Sequence, residues 1–266
     1  MIILQEEQMQ RYHRQLILQG FGPSAQRKLL GSKVLVIGAG GLGSPALLYL
    51  ASAGLGTIGV AEFDLVDLSN LQRQILYRES CIGLSKNSCA VKTLKELNSK
   101  TDFIQHPEKI HHKNIAKTIE QYDFIIDATD TTANKLLIND ACVLHKKPFS
   151  HGGALQFYGQ TMTVLPQLSA CLRCAFPTLD PKAAISCSEH GIIGAVAGII
   201  GTLQALEAIK FLGGFGECLT NAVQFFEADT LHFHKSKIHK RSDCPVCSPN
   251  PSIKDLCEHN SSRGGS

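Results

Sequence analysis

The amino-acid sequence predicts an α/β fold, with a doubly wound, mostly parallel sheet of the Rossmann type that continues into antiparallel strands. Three observations predict this fold class. An apolar run at 33–37 leads directly into a G-x-G-x-x-G turn at 38–43. Short apolar runs then alternate with segments of helical periodicity as far as about residue 145. Beyond Pro148 the runs alternate in polarity and contain glycines, as antiparallel strands do.

The predicted elements follow one another in the order that a parallel sheet requires. Strands are predicted at 34–37, 57–61, 102–105 and 123–127, and helices at 6–19, 24–30, 44–54, 85–98, 114–120 and 132–145. The second half is predicted to contain antiparallel strands within 154–166, a small-residue helix at 191–212 and a strand at 223–233. The intervening segment, 167–190, is rich in Cys, Pro and Ser, and long loops of this kind are usually functional.

Composition excludes several classes of protein. The chain has 266 residues, of which 44% are hydrophobic and 18% charged, so it can bury a substantial core. A net charge of +3 is too small to predict a nucleic-acid partner. No apolar run is expected to be long enough to cross a membrane, since the best candidate, 192–206, is broken by glycines. The N-terminus does not have the pattern of a signal peptide. We therefore expect a cytoplasmic protein with no membrane partner.

The glycine turn predicts a nucleotide site. Gly38, Gly40 and Gly43 allow a tight turn, close approach of the backbone and close helix–strand packing. The helix that follows directs its free amide groups toward the turn, where a phosphate fits. Glu62 follows the second strand about twenty residues further on and can bind ribose hydroxyls. These residues alone are compatible with NAD as well as with ATP.

Charged residues on later loops favour ATP. Asn70, Arg73 and Lys86 follow the second strand, and the two cations suit the charge of a triphosphate and of its leaving group. Asp130 ends a buried strand at the edge where such sheets bind ligands, and it is the candidate magnesium ligand. Asp127 is the second candidate, with capping of the next helix as its alternative role.

Cysteines supply the most specific chemical signal. Cys171, Cys174, Cys244 and Cys247 form two C-x-x-C pairs, and four thiolates predict a closed, structural zinc site. Such a site would fasten the end of the chain to its middle. Cys187 lies just before a predicted helix, where a thiol can be nucleophilic, but a spare thiol on a loop is an equally good interpretation.

Together these motifs resemble the ThiF/MoeB/HesA family, bacterial relatives of the ubiquitin-activating enzymes. The match covers about residues 8–248. The matching segments are RYHRQ (11–15), GAGGLGSPALLYLASAGLG (38–56), EFDLVDLSNLQRQILY (62–77), GLSK (83–86), DATD (127–130), the two C-x-x-C pairs and GTLQALEAIKFL (201–212). SNLQRQ and the paired cysteines are far more specific than the glycine turn.

The resemblance implies an ATP- and Mg²⁺-dependent adenylyltransferase that acts on a small ubiquitin-like sulfur-carrier protein with a Gly-Gly C-terminus. The carrier carboxylate would attack the α-phosphate, giving an acyl-adenylate and pyrophosphate. The resemblance then gives each site residue an expected role. Gly41 lies on the phosphates, and Glu62 holds the ribose at a position where the family usually has Asp. The triphosphate is neutralised by Asn70, Arg73 and Lys86, and magnesium is held by Asp130. Arg14 would reach the triphosphate of the partner subunit in a homodimer.

The resemblance also bears on sulfur transfer. Cys187 aligns with a cysteine of the family's crossover loop, which ThiF-like members use in a covalent bond to the carrier and MoeB-like members do not need. The chain ends soon after Cys247, so we expect sulfur to come from a separate sulfurtransferase or cysteine desulfurase. The basic stretch 232–241 could face an acidic carrier, although a solvated strand edge is the preferred interpretation.

The leading hypothesis is therefore an adenylyltransferase of thiamine biosynthesis with a ThiS-type carrier. The alternative is a MoaD-type carrier in molybdenum cofactor biosynthesis; more remote ones are an NAD-dependent dehydrogenase and a non-catalytic scaffold that binds a carrier. We expect a single domain, 1–248, with a nucleotide-binding half at about 1–150 and a carrier-binding and zinc half at about 151–248. Residues 249–266 are expected to be a disordered tail.

Overall fold

Eight strands of the computed structural model, which describes residues 3–180 and 191–256, form one sheet in the order β3-β2-β1-β4-β5-β6-β7-β8. The strands are β1 (Lys33–Ile37), β2 (Thr57–Ala61), β3 (Asp102–His106), β4 (Phe124–Asp127), β5 (Phe149–Leu155), β6 (Tyr158–Val164), β7 (Ala222–Glu227) and β8 (His232–Lys237). Pairing is parallel from β3 to β5 and antiparallel from β5 to β8. The predicted fold class is confirmed, including the change of strand direction after Pro148.

Helices cover both faces of the sheet. They are α1 (Glu6–Arg11), α2 (His13–Leu16), α3 (Gly22–Gly31), α4 (Gly43–Ala53), α5 (Lys86–Leu97), α6 (Ile115–Ile119), α7 (Thr132–Leu144), α8 (Leu172–Ala175) and α9 (Gly194–Gly213). Alternate side chains of one strand enter different cores. Val34 and Val36 pack with α3, α4, α5 and α9, whereas Leu35 and Ile37 pack with α6, α7 and α8. This two-sided burial explains why the β1 run is continuously apolar.

The predicted N-terminal helix, 6–19, is divided at Tyr12. Tyr12 is buried, and its hydroxyl accepts a hydrogen bond from Asn98 Nδ2 at 2.9 Å. Its ring lies against Gly54, where a Cβ atom would be 2.5 Å from the Tyr12 ring. Inserting this ring into the core displaces the backbone from helical geometry, so α1 ends at Arg11 and α2 begins at His13. Tertiary packing therefore overrides the helical periodicity here.

The single strand predicted at 223–233 is wrong, because β7 and β8 form a hairpin there. Leu231 adopts φ 54° in the connection, a conformation that is uncommon for leucine, so no Gly or Asn signals the turn. The strand β8 is at the edge of the sheet and contains much of the basic stretch 232–241. Its exposed lysines at 235 and 237 are typical of a protected sheet edge, as the preferred interpretation of this stretch predicts.

The end of the described chain makes contacts. Ile253 N donates a hydrogen bond to Pro245 O at 2.8 Å, and Ile253 and Leu256 pack on the core that contains α7 and α8. The part of the predicted disordered tail that is described, 249–256, is thus attached to the protein through Ile253 and Leu256, and residues 257–266 lie outside the described part of the chain.

Helix α9 is the one helix among the described residues with the length and apolar composition to cross a membrane. The expectation that no apolar run is long enough is wrong in this respect. In the fold, α9 packs on α4 and β5, and its buried Gln204 donates to the backbone carbonyls of Asp127 and Ser150. These contacts are those of a helix packed within the core.

Close packing of α9 on α4 gives a stability prediction. A Cβ atom at Gly201 would overlap Leu42 O and lie 2.8 Å from Pro45 Cγ, so we expect Gly201→Ala to cost about 1–3 kcal/mol of stability. A Cβ atom at Gly198, on the same helix, would have no heavy atom of the described residues within 4 Å, so Gly198→Ala should be neutral or stabilise by up to about 1 kcal/mol. Urea unfolding of both variants checks this, and equal effects would contradict the proposed close contact.

Candidate functional site

A cleft with a volume of about 320 Å³ lies at the carboxyl ends of the parallel strands. It is lined by the glycine turn after β1, the residues after β2, the loop after β3 and the loop after β4. The order of strands reverses between β2, β1 and β4, and doubly wound sheets bind ligands at such switch points. The topology therefore places the cleft where the sequence predicts a nucleotide.

Glycines are required in the turn by its packing. Gly38 has φ 94°, and a Cβ atom there would lie 2.7 Å from Ala128 O. A Cβ at Gly43 would overlap Gly38 O, so the turn folds tightly onto its own helix. Gly40 and Gly41 line the cleft, and a Cβ at Gly41 would lie 3.2 Å from Ala197 Cβ. The turn thus leaves its backbone open to a ligand.

Glu62 is buried at the wall of the cleft and is fixed by backbone amides. Its Oε2 accepts a hydrogen bond from Ala39 N at 2.9 Å, and its Oε1 accepts from Phe63 N and Asp64 N at 2.9 and 3.0 Å. A carboxylate has about four acceptor positions, so Glu62 can still accept from hydroxyl groups of a ligand. The side chain is pre-positioned for that task.

Two of the three predicted triphosphate residues line the cleft. Arg73 borders it while its Nη1 donates to Ser69 O at 2.9 Å. Lys86 is buried at its edge, with Nζ 3.4 Å from Asp64 Oδ2. Asn70 is not among the described residues that line the cleft. Its Oδ1 accepts from Asp67 N at 3.2 Å, which closes the short 3₁₀ turn Leu68–Asn70 before Arg73.

The two aspartates of the motif at 127–130 have opposite surroundings. Asp130 is exposed and lines the cleft, as a magnesium ligand requires. Asp127 is fully buried and does not line it. The alternative role of Asp127 as a helix cap is wrong as well, because the Thr131 hydroxyl accepts from Asn134 N at the start of α7.

Sequence reasoning missed the partners of Asp127, of which His151 is buried and Lys135 and Thr129 are half-buried at the wall of the cleft. Asp127 Oδ2 is 2.9 Å from His151 Nδ1 and 3.5 Å from Lys135 Nζ. Its Oδ1 accepts from Thr129 N at 3.1 Å and from Thr129 Oγ1 at 2.7 Å. Lys135 is one polar residue on α7 and His151 one residue of β5, so neither forms a motif with spacing that a sequence alone would reveal.

The charges within this group follow from its contacts. Burial alone would raise the pKa of Asp127, but Lys135 and the His151 hydrogen bond outweigh it and lower that pKa to about 2. Burial lowers the pKa of His151. At neutral pH the carboxylate is therefore ionised, and a neutral His151 donates its Nδ1 proton to it.

Two predicted site residues lie elsewhere. Arg14 is exposed on α2 and does not line the cleft of its own chain, so any contact with the ligand would have to be made in another subunit. Cys187 lies outside the described residues. Its predicted role stays a prediction.

The four predicted metal ligands come together in the folded chain. Their sulfur atoms all lie within 4.8 Å of one another, with Cys171–Cys244 at 3.6 Å and Cys174–Cys247 at 3.4 Å. Tetrahedral zinc with Zn–S bonds of about 2.3 Å needs S···S separations of about 3.8 Å. In addition, Arg241 N points at Cys174 Sγ at 3.4 Å, a hydrogen bond that a metal-bound thiolate accepts. The cluster can hold a metal ion.

A nucleotide-sized cleft at the switch point and a remote four-cysteine cluster define a doubly wound α/β protein of the nucleotide-binding class. The model of the ThiF family matches residues 12–246. The chain belongs to the ThiF family.

Curated relatives are similar in sequence to this chain over part of their length. The chain is 43% identical over 258 residues to adenylyltransferase and sulfurtransferase MOCS3 of Aedes aegypti, covering 96% of this chain and 59% of the relative. It is 41% identical to MOCS3 of Anopheles gambiae, covering 96% of this chain and 58% of that protein. The chain thus spans about three fifths of the length of these relatives. Their names include the enzyme class that the sequence predicts for this chain.

Solved structures show the same fold. Escherichia coli MccB in complex with ATP superposes with a TM-score of 0.77 at 25% identity, covering 90% of this chain and 74% of MccB. Another structure of E. coli MccB superposes with a TM-score of 0.80 at 22% identity, covering 97% of this chain and 77% of MccB. Membership of the ThiF family does not support the dehydrogenase alternative.

The neutral state of His151 gives a pH prediction. Burial lowers the pKa of His151 in the folded chain, so the unfolded chain binds this proton more readily. The stability of the folded chain is therefore unaffected by this group above about pH 6.5 and falls as the pH drops below that value. The His151→Asn variant keeps an amide donor for Asp127 but cannot be protonated. Between pH 7.5 and 5.5 we expect the stability of this variant to fall less than that of the wild type. The two slopes should differ by at most about 1.4 kcal/mol per pH unit.

Urea unfolding at the two pH values measures this difference. His239→Gln, which removes an exposed imidazole, is the control. Equal pH dependence of the His151→Asn variant and the wild type would show that His151 is not held neutral.

Proposed function

We propose that this chain is an ATP-dependent adenylyltransferase that activates the C-terminal carboxylate of a small ubiquitin-like sulfur carrier ending in Gly-Gly. One observation carries the proposal: a single cleft is lined by the glycine turn, Glu62, Arg73, Lys86 and Asp130. These are a phosphate cradle, a ribose acceptor, two cations and a metal ligand. Membership of the ThiF family supports the same activity.

The chemistry needs charge neutralisation more than it needs a base. A carrier carboxylate oxygen forms a bond to the α-phosphorus of ATP, and the bond from that phosphorus to the oxygen bridging to the β-phosphate breaks. Pyrophosphate leaves with the electron pair, and no proton has to move. A carboxylate attacks a polyanion slowly unless the charge is screened and the atoms are aligned, which Arg73, Lys86 and the amides of the turn can do.

Magnesium fits the same cleft. Asp130 offers an exposed carboxylate on the loop after β4, and Mg²⁺ prefers one or two carboxylates together with phosphate oxygens. When bound, the ion would neutralise charge on the pyrophosphate leaving group. Asp127 is excluded from this role by its burial.

We propose a homodimer in which Arg14 completes the partner's site. The residues between β2 and α5 expose several large apolar side chains that a second copy could cover: Leu65, Leu68, Ile75, Ile82 and Leu84. Arg14 is exposed and outside its own cleft, so it is available to a neighbour. An arginine supplied in this way would add charge neutralisation at the triphosphate.

The carrier is better assigned to the molybdenum cofactor than to thiamine. The curated relatives reported above are MOCS3 proteins, which supports the MoaD-type alternative and not the ThiS-type preference of the sequence. A second protein is proposed as the sulfur source, either a sulfurtransferase or a cysteine desulfurase. A covalent bond between Cys187 and the carrier is a separate proposal, supported by the resemblance to the crossover-loop cysteine of the family.

Zinc is proposed as the metal of the four-cysteine cluster. Four thiolates leave no position for water, so the ion would be structural and would take no part in catalysis. It would join the α8 region to the loop after β8, where Cys244 and Cys247 lie.

Subunit mixing tests the activity and the shared site together. The Asp130→Ala and Arg14→Ala homodimers should each lose ATP–pyrophosphate exchange by about 10²-fold or more in the presence of a MoaD-type carrier. Re-equilibrated in equal amounts, half of the dimers are mixed, and each mixed dimer has one intact site. Exchange should therefore return to about a quarter of the wild-type rate.

Different failures have different meanings. A wild-type protein that binds the carrier but exchanges no pyrophosphate would be the non-catalytic scaffold. Full exchange by the Asp130→Ala variant would refute the magnesium assignment. If the two variants lose exchange and do not regain it on mixing, the shared site is refuted. The proposed adenylyltransferase activity of the wild type is not affected by that result.

Metal content tests the zinc proposal. Wild-type protein should contain about one zinc per chain, and Cys174→Ser should lose it together with a large fall in the unfolding temperature. Cys218→Ser, a half-buried cysteine outside the cluster, is the control and should keep the metal. Plasma mass spectrometry measures the content, and an unchanged zinc content of the Cys174→Ser variant would contradict the proposed ligand set.

A further inference from the structure

We propose that Lys135 is a positioning residue that holds the Asp130 loop in the conformation needed to bind magnesium. The inference rests on the proposed function, since it assigns Asp130 the role of metal ligand. It concerns a side chain that no sequence motif indicates and that acts through the backbone of its neighbours.

Lys135 joins two loops at the edge of the cleft. Its Nζ donates to Thr129 O and to Gly152 O, each at 2.6 Å. Thr129 directly precedes Asp130, and Gly152 lies on β5, the next strand of the sheet. One ammonium group on α7 therefore connects the metal loop to the neighbouring strand.

Asp130 is held on both sides but is free at its carboxylate. Before it, Thr129 is bonded through its carbonyl to Lys135 and through its amide and hydroxyl to Asp127. After it, Thr131 caps α7. Within residues 3–180 and 191–256, the Asp130 carboxylate has no hydrogen bond or ion pair, so it is available to an ion. A free ligand on an anchored backbone is what pre-organisation of a metal site requires.

The same strand ends are held from the other face of the sheet. Gln204 on α9 donates from Nε2 to Asp127 O at 2.8 Å and to Ser150 O at 3.1 Å. Gln204 and Lys135 thus connect β4 with β5 from opposite sides. Gly152 allows this close approach, because a Cβ atom there would overlap the Gln204 amide. Beyond β4, Lys135 is the one donor to Thr129 O among the described residues, and it is therefore the side chain that ties the backbone before Asp130 to β5.

An ammonium group can occupy this position because its charge is balanced. Asp127 lies 3.5 Å away, and a neutral His151 supports that carboxylate from the far side. Burying a lysine without such a partner would cost several kcal/mol. The balanced pair also limits the repulsion that an uncompensated cation would exert on a metal at Asp130.

Magnesium titration of the exchange reaction tests this role. In Lys135→Met the two carbonyls lose their donor, and we expect the magnesium concentration for half-maximal exchange, at one fixed ATP concentration, to rise about 10-fold or more. ATP binding in EDTA should change less than about 3-fold, because Glu62 and the glycine turn are untouched.

Lys147→Met is the matched control. Lys147 Nζ also donates to two backbone carbonyls, those of Glu120 at 2.8 Å and Tyr122 at 2.9 Å, but at the opposite end of β4. Its loss should affect stability and leave the magnesium dependence unchanged. Equal magnesium dependence of the Lys135→Met variant and the wild type, or an equal shift in the Lys147→Met variant, would overturn the proposal.

A second variant covers failure of Lys135→Met to fold. Thr129→Val keeps the side-chain volume and removes the hydroxyl donor to Asp127. It should raise the magnesium concentration needed for half-maximal exchange by a smaller factor than Lys135→Met. An unchanged magnesium requirement would overturn the proposal. Failure of the proposed function would give a different result, because the wild type would then show no exchange at any magnesium concentration.

Discussion

The contact between Gly38 and the carbonyl of Ala128 is the constraint on which the site depends. These residues are far apart in the chain, and the parallel pairing of β1 with β4 brings their loops side by side. A Cβ atom at position 38 would be 2.7 Å from that carbonyl oxygen, so only glycine permits the approach. Because the two loops touch, a ligand on the glycine turn would lie within reach of Asp130, which lines the same cleft. The strand order creates the cleft. The lack of a side chain at Gly38 lets the loops after β1 and β4 approach closely enough to line it together.

The two halves of the sheet have different tasks and are joined by different interactions. The parallel half supplies loops that line the cleft, and its faces are covered by separate apolar cores. Within the described chain, the antiparallel half lacks helices after most of its strands; α9 packs on β5 and β6, and the four cysteines bring α8 and the loop after β8 together. A metal bound there would join two segments about seventy residues apart, and its binding free energy would add to the stability of the folded chain.

Sequence patterns predicted what repeats or has fixed spacing. The parallel strands, the glycine turn and the paired cysteines each carry such a pattern, and the structure brings those residues together. Features decided by tertiary contacts were missed or misjudged. Tyr12 divides the first helix by entering the core, and the turn between β7 and β8 places Leu231 at φ 54° without a Gly or Asn. Lys135 and His151 belong to different elements and meet only in the folded sheet, so no single-sequence pattern could pair them.

Asp127 and Asp130 show most clearly why burial decides chemistry. Both belong to one four-residue motif, and the sequence offers either as a metal ligand. At Asp127 the strand is still enclosed, so its carboxylate must be balanced from within. Lys135 supplies the opposite charge at 3.5 Å, and the neutral His151 supplies a hydrogen bond at 2.9 Å. Three residues later the chain has left the sheet, and Asp130 reaches the cleft with its carboxylate unbonded to the described residues. The buried aspartate fixes Lys135, Lys135 fixes Thr129, and Thr129 precedes the exposed aspartate. One acid therefore organises the backbone from which the other can bind a ligand.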